Sequence, residues 1–384
     1  MGEIRRNMAC AREALFKGVK RLVVKLGTRV VTVHDNALNR ELIDRLAGEV
    51  VHLRSRGVQV AIVSSGAVGA GMGRLGLKER PRRIPELQAT AAVGQGLLMN
   101  AYKLAFRKHD IPVGQVLLTA EDLDDRQRYV NARNTLNELF RFGAVPILNE
   151  NDSVAVEEIK VGDNDRISAL VAHLVDAQLL VILTDVDGLY SDDPNQDGDA
   201  KLISHVEEVT PELIARTGNR GSAVGLGGMQ AKLHAAESVT RGGRMMVIAN
   251  GHTTGVIDIL EGKNAGTLFM PGKGRLTGRK VWIANTRKKG AVVVDDGAVE
   301  AIGTRGKSLL PSGILDVVGA FEAGELIGVE NPGGLEVARG LVRYDSEAVR
   351  KILGKKTSEV AAVLEGVEGE EVIHRDDLVV LYSF

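Results

Sequence analysis

The sequence predicts a mostly parallel open α/β sheet sandwiched by helices, followed by a small, mostly β domain. Three observations carry this. Short apolar runs alternate with helix-period segments over about 250 residues, the pattern of strands joined by helical crossovers. Polar clusters repeatedly follow those runs, where open α/β sheets place their ligands. Beyond the Gly- and basic-rich stretch Pro271–Lys280, the pattern changes to short strand-like runs separated by turn residues.

Composition narrows the function classes. At 384 residues, 44% hydrophobic and 26% charged, this is an ordinary globular composition with length for two or three domains. A net charge of −1 provides no global field for nucleic acid, and aromatics at 3%, with Trp282 the single tryptophan, provide few stacking platforms. The single Cys10 leaves no intrachain disulfide and fits a reducing, cytoplasmic setting. No apolar run approaches the roughly 18 residues of a membrane span. The N-terminus, Met1-Gly-Glu-Ile-Arg-Arg, has no signal-peptide core, and residues 1–18 read as an amphipathic lead-in.

The first strand is Arg21–Lys25, running into Gly27-Thr28. Glycine there lets a backbone anion nest form, and Lys25 adds a point charge. A helix follows from Asn39, its N-cap, to Leu53, and then a strand Val58–Val63. That strand empties into Ser64-Ser65-Gly66-Ala67, two hydroxyls and a glycine suited to a carboxylate or phosphate. Val63 stands where a nucleophile elbow needs glycine, which argues against a serine hydrolase. Helix Pro85–His109, strand Pro112–Leu118, a charged surface loop Thr119–Arg126 and helix Asn131–Arg141 come next.

The central stretch is the most informative. An apolar run from Val145 ends in Asn149-Glu-Asn-Asp152, and a second polar cluster, Gly162-Asp-Asn164-Asp165, precedes a helix Ile167–Leu174. Residues Ser153 to Val161 are expected to form a strand or hairpin able to close over a substrate. Strand Leu179–Thr184 ends in an Asp-rich loop from Asp185 that lacks the register of a calcium-binding EF-hand. A glycine-rich loop, Gly218–Gly228, feeds a helix Met229–Val239, and such a helix start is an anion site with Lys232 adding charge. Strands Met245–Ala249 and Thr267–Met270 complete the alternation.

In the C-terminal part, strands are expected at Ala291–Val294, Ile314–Val318, Leu326–Val329 and Val337–Leu341. Ala301-Ile-Gly-Thr-Arg-Gly-Lys307-Ser308 misses a P-loop by its first glycine. Pro311 follows too closely for the helix a P-loop needs.

These motifs together resemble the glutamate 5-kinases, amino-acid kinases with a C-terminal PUA domain. The matching stretches are Val23–Thr28, Val63–Ala67, Asn149–Asp152, Glu158–Asp165, Thr184-Asp185, Gly188–Tyr190 and Gly227-Gly228-Met229 with Lys232. The resemblance implies an amino-acid kinase domain at 19–271, a linker at 272–288 and a PUA-like domain at 289–384. It implies phosphorylation of the side-chain carboxylate of L-glutamate by ATP as co-substrate with Mg²⁺, the first step of proline synthesis. It also implies feedback inhibition by L-proline and a homo-oligomer, dimer or tetramer.

Roles carried over residue by residue make Lys25, Lys232 and Asp165 catalytic, with Asp165 holding the lysines. Ser65, Gly66, Asn149, Asp152 and Asn164 are expected to bind glutamate. Lys25, Gly27, Thr184, Asp185 and the run Leu226, Gly227, Gly228, Met229, Gln230, Ala231 and Lys232 are expected to face ATP. Leu226 departs from the family, which commonly has Thr there. Two alternatives stay open: a sister amino-acid kinase with another acid or phosphate substrate, and an RNA-binding protein acting through the PUA-like domain.

Overall fold

The computed structural model describes residues 12–155, 163–194, 197–218, 226–272, 276, 278–364 and 371–381. The chain divides into two compact units, Met1–Arg275 and Leu276–Phe384.

The first unit is built on an eight-stranded sheet. Its strands are β1 (Arg21–Leu26), β2 (Gln59–Ser64), β3 (Val113–Leu118), β4 (Val145–Glu150), β5 (Leu179–Thr184), β6 (His205–Val206), β7 (Met245–Asn250) and β8 (Thr267–Phe269). The spatial order is β3-β4-β2-β1-β5-β7-β8-β6. Only the β7–β8 pairing is antiparallel among the pairs recorded. β1 and β5 read as unbroken apolar runs because both faces are covered. Leu22, Val23, Val24 and Leu179 through Ile182 have no accessible surface at all. Parallel pairing brings the carboxyl ends of β1, β2, β4 and β5 to one edge, with Lys25 level with Val63 on one side and Ile182 on the other.

The labelled helices are α1 (Arg40–Ser55), α2 (Ala67–Leu75), α3 (Ile84–Arg107), α4 (Ala120–Asp124), α5 (Arg126–Arg141), α6 (Asp163–Leu174), α7 (Pro211–Gly218) and α8 (Leu226–Arg241). The Asn39 side chain caps α1 by accepting from the Leu42 N–H, as its position implies. α2 and α3 meet backbone to backbone. A Cβ on Gly71 would collide with the Thr90 carbonyl, and one on Gly94 with the Ala67 carbonyl. The glycines therefore set how closely α3 approaches the strand ends.

Four expectations are corrected. The segment Thr119–Arg126 is not a surface loop: Thr119 and Asp122 form a reciprocal capping box that starts α4, which buries Ala120 and Leu123. α5 begins at Arg126 instead of Asn131, because Asp125 supplies an N-cap by accepting from the Arg128 N–H. α6 begins at Asp163, so the second polar cluster is a helix's first turn, where carboxylates are favoured by the dipole. α8 begins at Leu226, which takes Gly227 and Gly228 into the helix and puts Lys232 in its second turn. The rest of that glycine loop, 219–225, and residues 156–161 of the expected strand or hairpin lie outside the described residues. β6 and α7 are too short or too irregular in pattern to read from sequence.

His173, in the last turn of α6, faces Ser238 of α8 at 3.1 Å. Burial, with the Arg244 guanidinium adding to it, pushes the His173 imidazole down to about 3 from 6.5. The unfolded chain thus takes up a proton that the folded one refuses between those values, so stability falls as pH falls through that window. Between pH 7 and pH 5 this group alone is expected to remove about 2 kcal/mol. Urea unfolding at both pH values should show His173→Gln losing less stability than the parent chain by about that amount. Equal losses in the two proteins would remove His173 from the acid response.

The second unit holds a five-stranded sheet in the order β10-β9-β11-β12-β13. Its strands are β9 (Gly290–Val294), β10 (Ile314–Val318), β11 (Leu326–Glu330), β12 (Glu336–Leu341) and β13 (Leu378–Val380). They enclose a core that includes Val292, Ile327, Val329, Val349 and Ile373. The near-P-loop falls apart in three dimensions: Ala301 through Gly303 end the helix Asp296–Gly303, and Leu309 bridges to Ile373. No helix among the described residues is long and apolar enough to cross a membrane.

Candidate active site

The common edge of β1, β2, β4 and β5 carries two adjoining clusters. The first is ionic. Lys25, the fifth residue of β1, places Nζ 2.6 Å from Asp165 Oδ1, and Lys232 of α8 places Nζ 3.0 Å from Asp165 Oδ2. All three side chains are buried, with Asp165 only 1% exposed. Lys232 Nζ also donates to the Gly228 carbonyl at 3.2 Å, which ties it to the first turn of its own helix.

The electrostatics follow from that geometry. Burial by itself raises the Asp165 carboxyl, but the charges and hydrogen bonds of Lys25 and Lys232 outweigh it and hold the group below the usual carboxylate range. Burial is the largest effect on the Lys25 ammonium and lowers it. Asp165 opposes that shift, and the like charge of Lys232 adds to it. Among the described residues the two lysines share Asp165 as their one contacting carboxylate, with the charge of Asp185 acting on Lys25 from farther off, so the buried site carries an excess of ammonium groups. Such a site is built to receive an anion.

The second cluster is neutral and polar. Asn164, next to Asp165 in the first turn of α6, donates from Nδ2 to Ser65 Oγ at 3.1 Å and to Asn149 Oδ1 at 3.0 Å. Asn149, in β4, accepts also from the Glu150 N–H and donates from Nδ2 to Gln95 Oε1 at 2.8 Å. Asn164 Oδ1 is buried with no hydrogen-bond partner among the described residues. Gly66 holds φ +103, a left-handed conformation that favours glycine, and turns the chain from Ser65 into α2. Asp152 is half-buried at the start of the turn after β4.

The remaining candidates line the other side of Lys25. Gly27 donates its N–H to the Leu183 carbonyl at 2.9 Å, which sets it against the end of β5. Thr184 ends β5, buried, with Oγ1 donating to Asp185 Oδ1 at 3.1 Å. Asp185 turns toward Arg29, 2.9 Å away, so part of its charge is already answered. Leu226 and Gly227 open α8, followed by half-buried Gly228, Met229, Gln230 and Ala231. The first N–H groups of a helix have no intrahelical acceptor. Nothing is described of the Leu226 side chain.

Sequence reasoning missed Gln95, Gln88 and Tyr102, all from α3. Gln88 donates to the Ala155 carbonyl at 3.1 Å, and the Tyr102 hydroxyl donates to Ser64 Oγ at 2.8 Å. Their seven-residue spacing puts them on one face of the helix. That spacing was the available signal, hidden inside an apolar helical pattern.

A mostly parallel α/β sheet with paired lysines on one carboxylate at its strand ends defines an amino-acid kinase. Residues 20–250 match the amino acid kinase family, and residues 290–364 match the PUA domain. The glutamate 5-kinase of Geobacter sulfurreducens is 48% identical over 372 residues, spanning 96% of this chain and 100% of that one. The glutamate 5-kinase of Moorella thermoacetica is 49% identical over 364 residues, 94% of this chain and 96% of that one. A carbamate kinase from Giardia lamblia bound to AMP-PNP overlays with a TM-score of 0.48 at 18% identity, covering 67% of this chain and 100% of that one. The chain belongs to the amino acid kinase family and, within it, to the glutamate 5-kinases.

Proposed function

We propose that this protein transfers the γ-phosphoryl group of ATP to the side-chain carboxylate of L-glutamate, forming L-glutamyl 5-phosphate, the first step of proline synthesis. The observation that carries the reading is the juxtaposition of Lys25–Asp165–Lys232 with Ser65–Asn164–Asn149 on one sheet edge. Near-full-length similarity to glutamate 5-kinases supports it.

A side-chain carboxylate with an ordinary pKa near 4.3 is already ionised at neutral pH, so the nucleophile needs no general base. One carboxylate oxygen forms a bond to the γ-phosphorus as the bond from that phosphorus to the bridging oxygen of ADP breaks. The bridging electron pair leaves with ADP, and no proton moves. The obstacle is repulsion between an anion and a polyanion, so the work is positioning and charge neutralisation. Lys25 and Lys232 neutralise the transferred group, while Asp165 fixes both ammonium groups and limits their mutual repulsion. Ser65 O–H and Asn164 bind glutamate, with Asn149 and Gly66 shaping the pocket and Asp152 receiving the α-ammonium. Gly27, Thr184, Asp185 and the α8 start from Leu226 through Ala231 face the nucleotide.

Mg²⁺ enters on the nucleotide. Among the described residues no three His, Cys, Asp or Glu side chains gather as a metal site, and the buried carboxylate nearest the chemistry is held by two lysines. Bound to the nucleotide, the ion would supply neutralisation of phosphate charge. Proline as feedback inhibitor, a homo-oligomeric assembly and a cytoplasmic location belong to the same reading and rest on the family alone.

The test is a panel of acids. ADP release is expected with glutamate and to be at least tenfold weaker with aspartate or N-acetylglutamate. Preference for either of the latter would move the protein to a sister activity.

A further inference from the structure

We infer that Gln95 is a positioning residue for the amino-acid substrate: with the Glu150 N–H it holds Asn149, and through Asn149 and Asn164 it helps set which atoms of Ser65 and Asn164 are offered to that substrate. The inference rests on the proposed glutamate site and extends it to a residue on a helix that no motif marks.

Gln95 Oε1 accepts from Asn149 Nδ2 at 2.8 Å while the Glu150 N–H donates to Asn149 Oδ1 at 2.9 Å, and the two together hold Asn149 with Oδ1 toward Asn164. Asn164 Nδ2 then has two acceptors, Asn149 Oδ1 at 3.0 Å and Ser65 Oγ at 3.1 Å, which match its two N–H bonds. Two consequences follow. Ser65 Oγ is occupied as an acceptor, so its own hydrogen is left to donate, as a carboxylate requires. Asn164 Oδ1 is turned away, buried and without a partner among the described residues, and is left to accept from an ammonium. Were Asn149 reversed, its Nδ2 would face Asn164 Nδ2, two donors together. Asn164 would have to rotate, and both offered groups would change sign.

Gln95 reaches Asn149 because Gly94 permits α3 to lie directly on α2. It is the middle member of the face that also carries Gln88, which donates to the Ala155 carbonyl, and Tyr102, whose hydroxyl holds Ser64 at 2.8 Å. One helix face thus grips the Ser64–Ser65 turn and the end of β4 together. Gln95 contacts neither Lys25 nor Lys232 in the recorded interactions, so its effect should fall on the amino acid and not on the nucleotide.

The test compares Gln95→Leu, which removes the acceptor at similar volume, with Gln95→Glu, which keeps one. Steady-state kinetics with glutamate and ATP and a thermal unfolding midpoint are measured for each. A neutral hydrogen bond of this kind is worth about tenfold in binding. Gln95→Leu is therefore expected to raise the glutamate KM about tenfold, with the ATP KM within about twofold, and Gln95→Glu to recover most of that loss. An unchanged glutamate KM in Gln95→Leu overturns the inference, and so does an equal rise in both KM values. Gln95→Glu behaving no better than Gln95→Leu also overturns it. Should Gln95→Leu fold poorly, Gln95→Met carries the same comparison. A parent chain that ignores glutamate removes the proposed function and the inference with it. An active parent with an unaffected Gln95→Leu removes the inference alone.

Discussion

Replacing Lys232 by Ala is expected to lower kcat by roughly two to three orders of magnitude, the usual cost of losing one preorganised group aimed at transition-state charge. The unfolding midpoint should hardly change. Lys232 and Lys25 share one carboxylate in a buried site, and the charge of Lys232 is one of the effects that lower the Lys25 ammonium. Removing Lys232 relieves that repulsion and leaves a neutral Lys25–Asp165 pair. Kinetics and a denaturation curve on the same sample decide the matter. A variant with near-normal kcat would remove Lys232 from the chemistry, and one that unfolds would make its role structural.

Asp165→Ala is expected to fail in the opposite way, losing both stability and turnover. It leaves two buried ammonium groups facing each other without a counter-charge, and breaking a buried ion pair on one side typically costs about 3–5 kcal/mol. Asp165→Asn should keep part of the hydrogen bonding and fold better, yet stay slow because the lysines are no longer anchored by charge. The order of stability should therefore be Lys232→Ala above Asp165→Asn above Asp165→Ala. Finding Asp165→Ala as stable as Lys232→Ala would show that the lysines accommodate each other without it, contrary to the electrostatic argument. The contrast between the two sites is the general one between function and stability: a charge excess that a polyphosphate needs is a strain on the empty fold.

How much of this could be read beforehand varied with the kind of signal. β1 and β5 were legible because strands buried on both faces are continuous apolar runs, and Lys25 and Thr184 stood out as polar residues closing them. Asp165 and Lys232 were legible only as members of separate polar and glycine-rich motifs. Their meeting is a product of the sheet order, which lays β5 beside β1 and brings α6 and α8 to the same edge. The starts of α6 and α8 were misread by several residues. Gly, Asn and Asp favour turns, and here they sit instead in the first turns of helices, where a dipole and free N–H groups give them a use. Gln95 was legible only through its seven-residue spacing from Gln88 and Tyr102, a faint signal inside an apolar helix. It lies between two glycines in an apolar helix, and its role depends on the Gly94–Ala67 approach, a contact that no local pattern encodes.

A glutamate side-chain carboxylate, and no other group, is expected to receive the phosphoryl transfer on this edge. The most direct measurement supplies ATP, Mg²⁺, hydroxylamine and L-glutamate labelled with ¹³C in the side-chain carboxyl, then follows ADP and the labelled carbon together. The account predicts a hydroxamate at the labelled carbon, formed in step with ADP. ADP release without glutamate, or a hydroxamate at the unlabelled α-carboxyl, would contradict it.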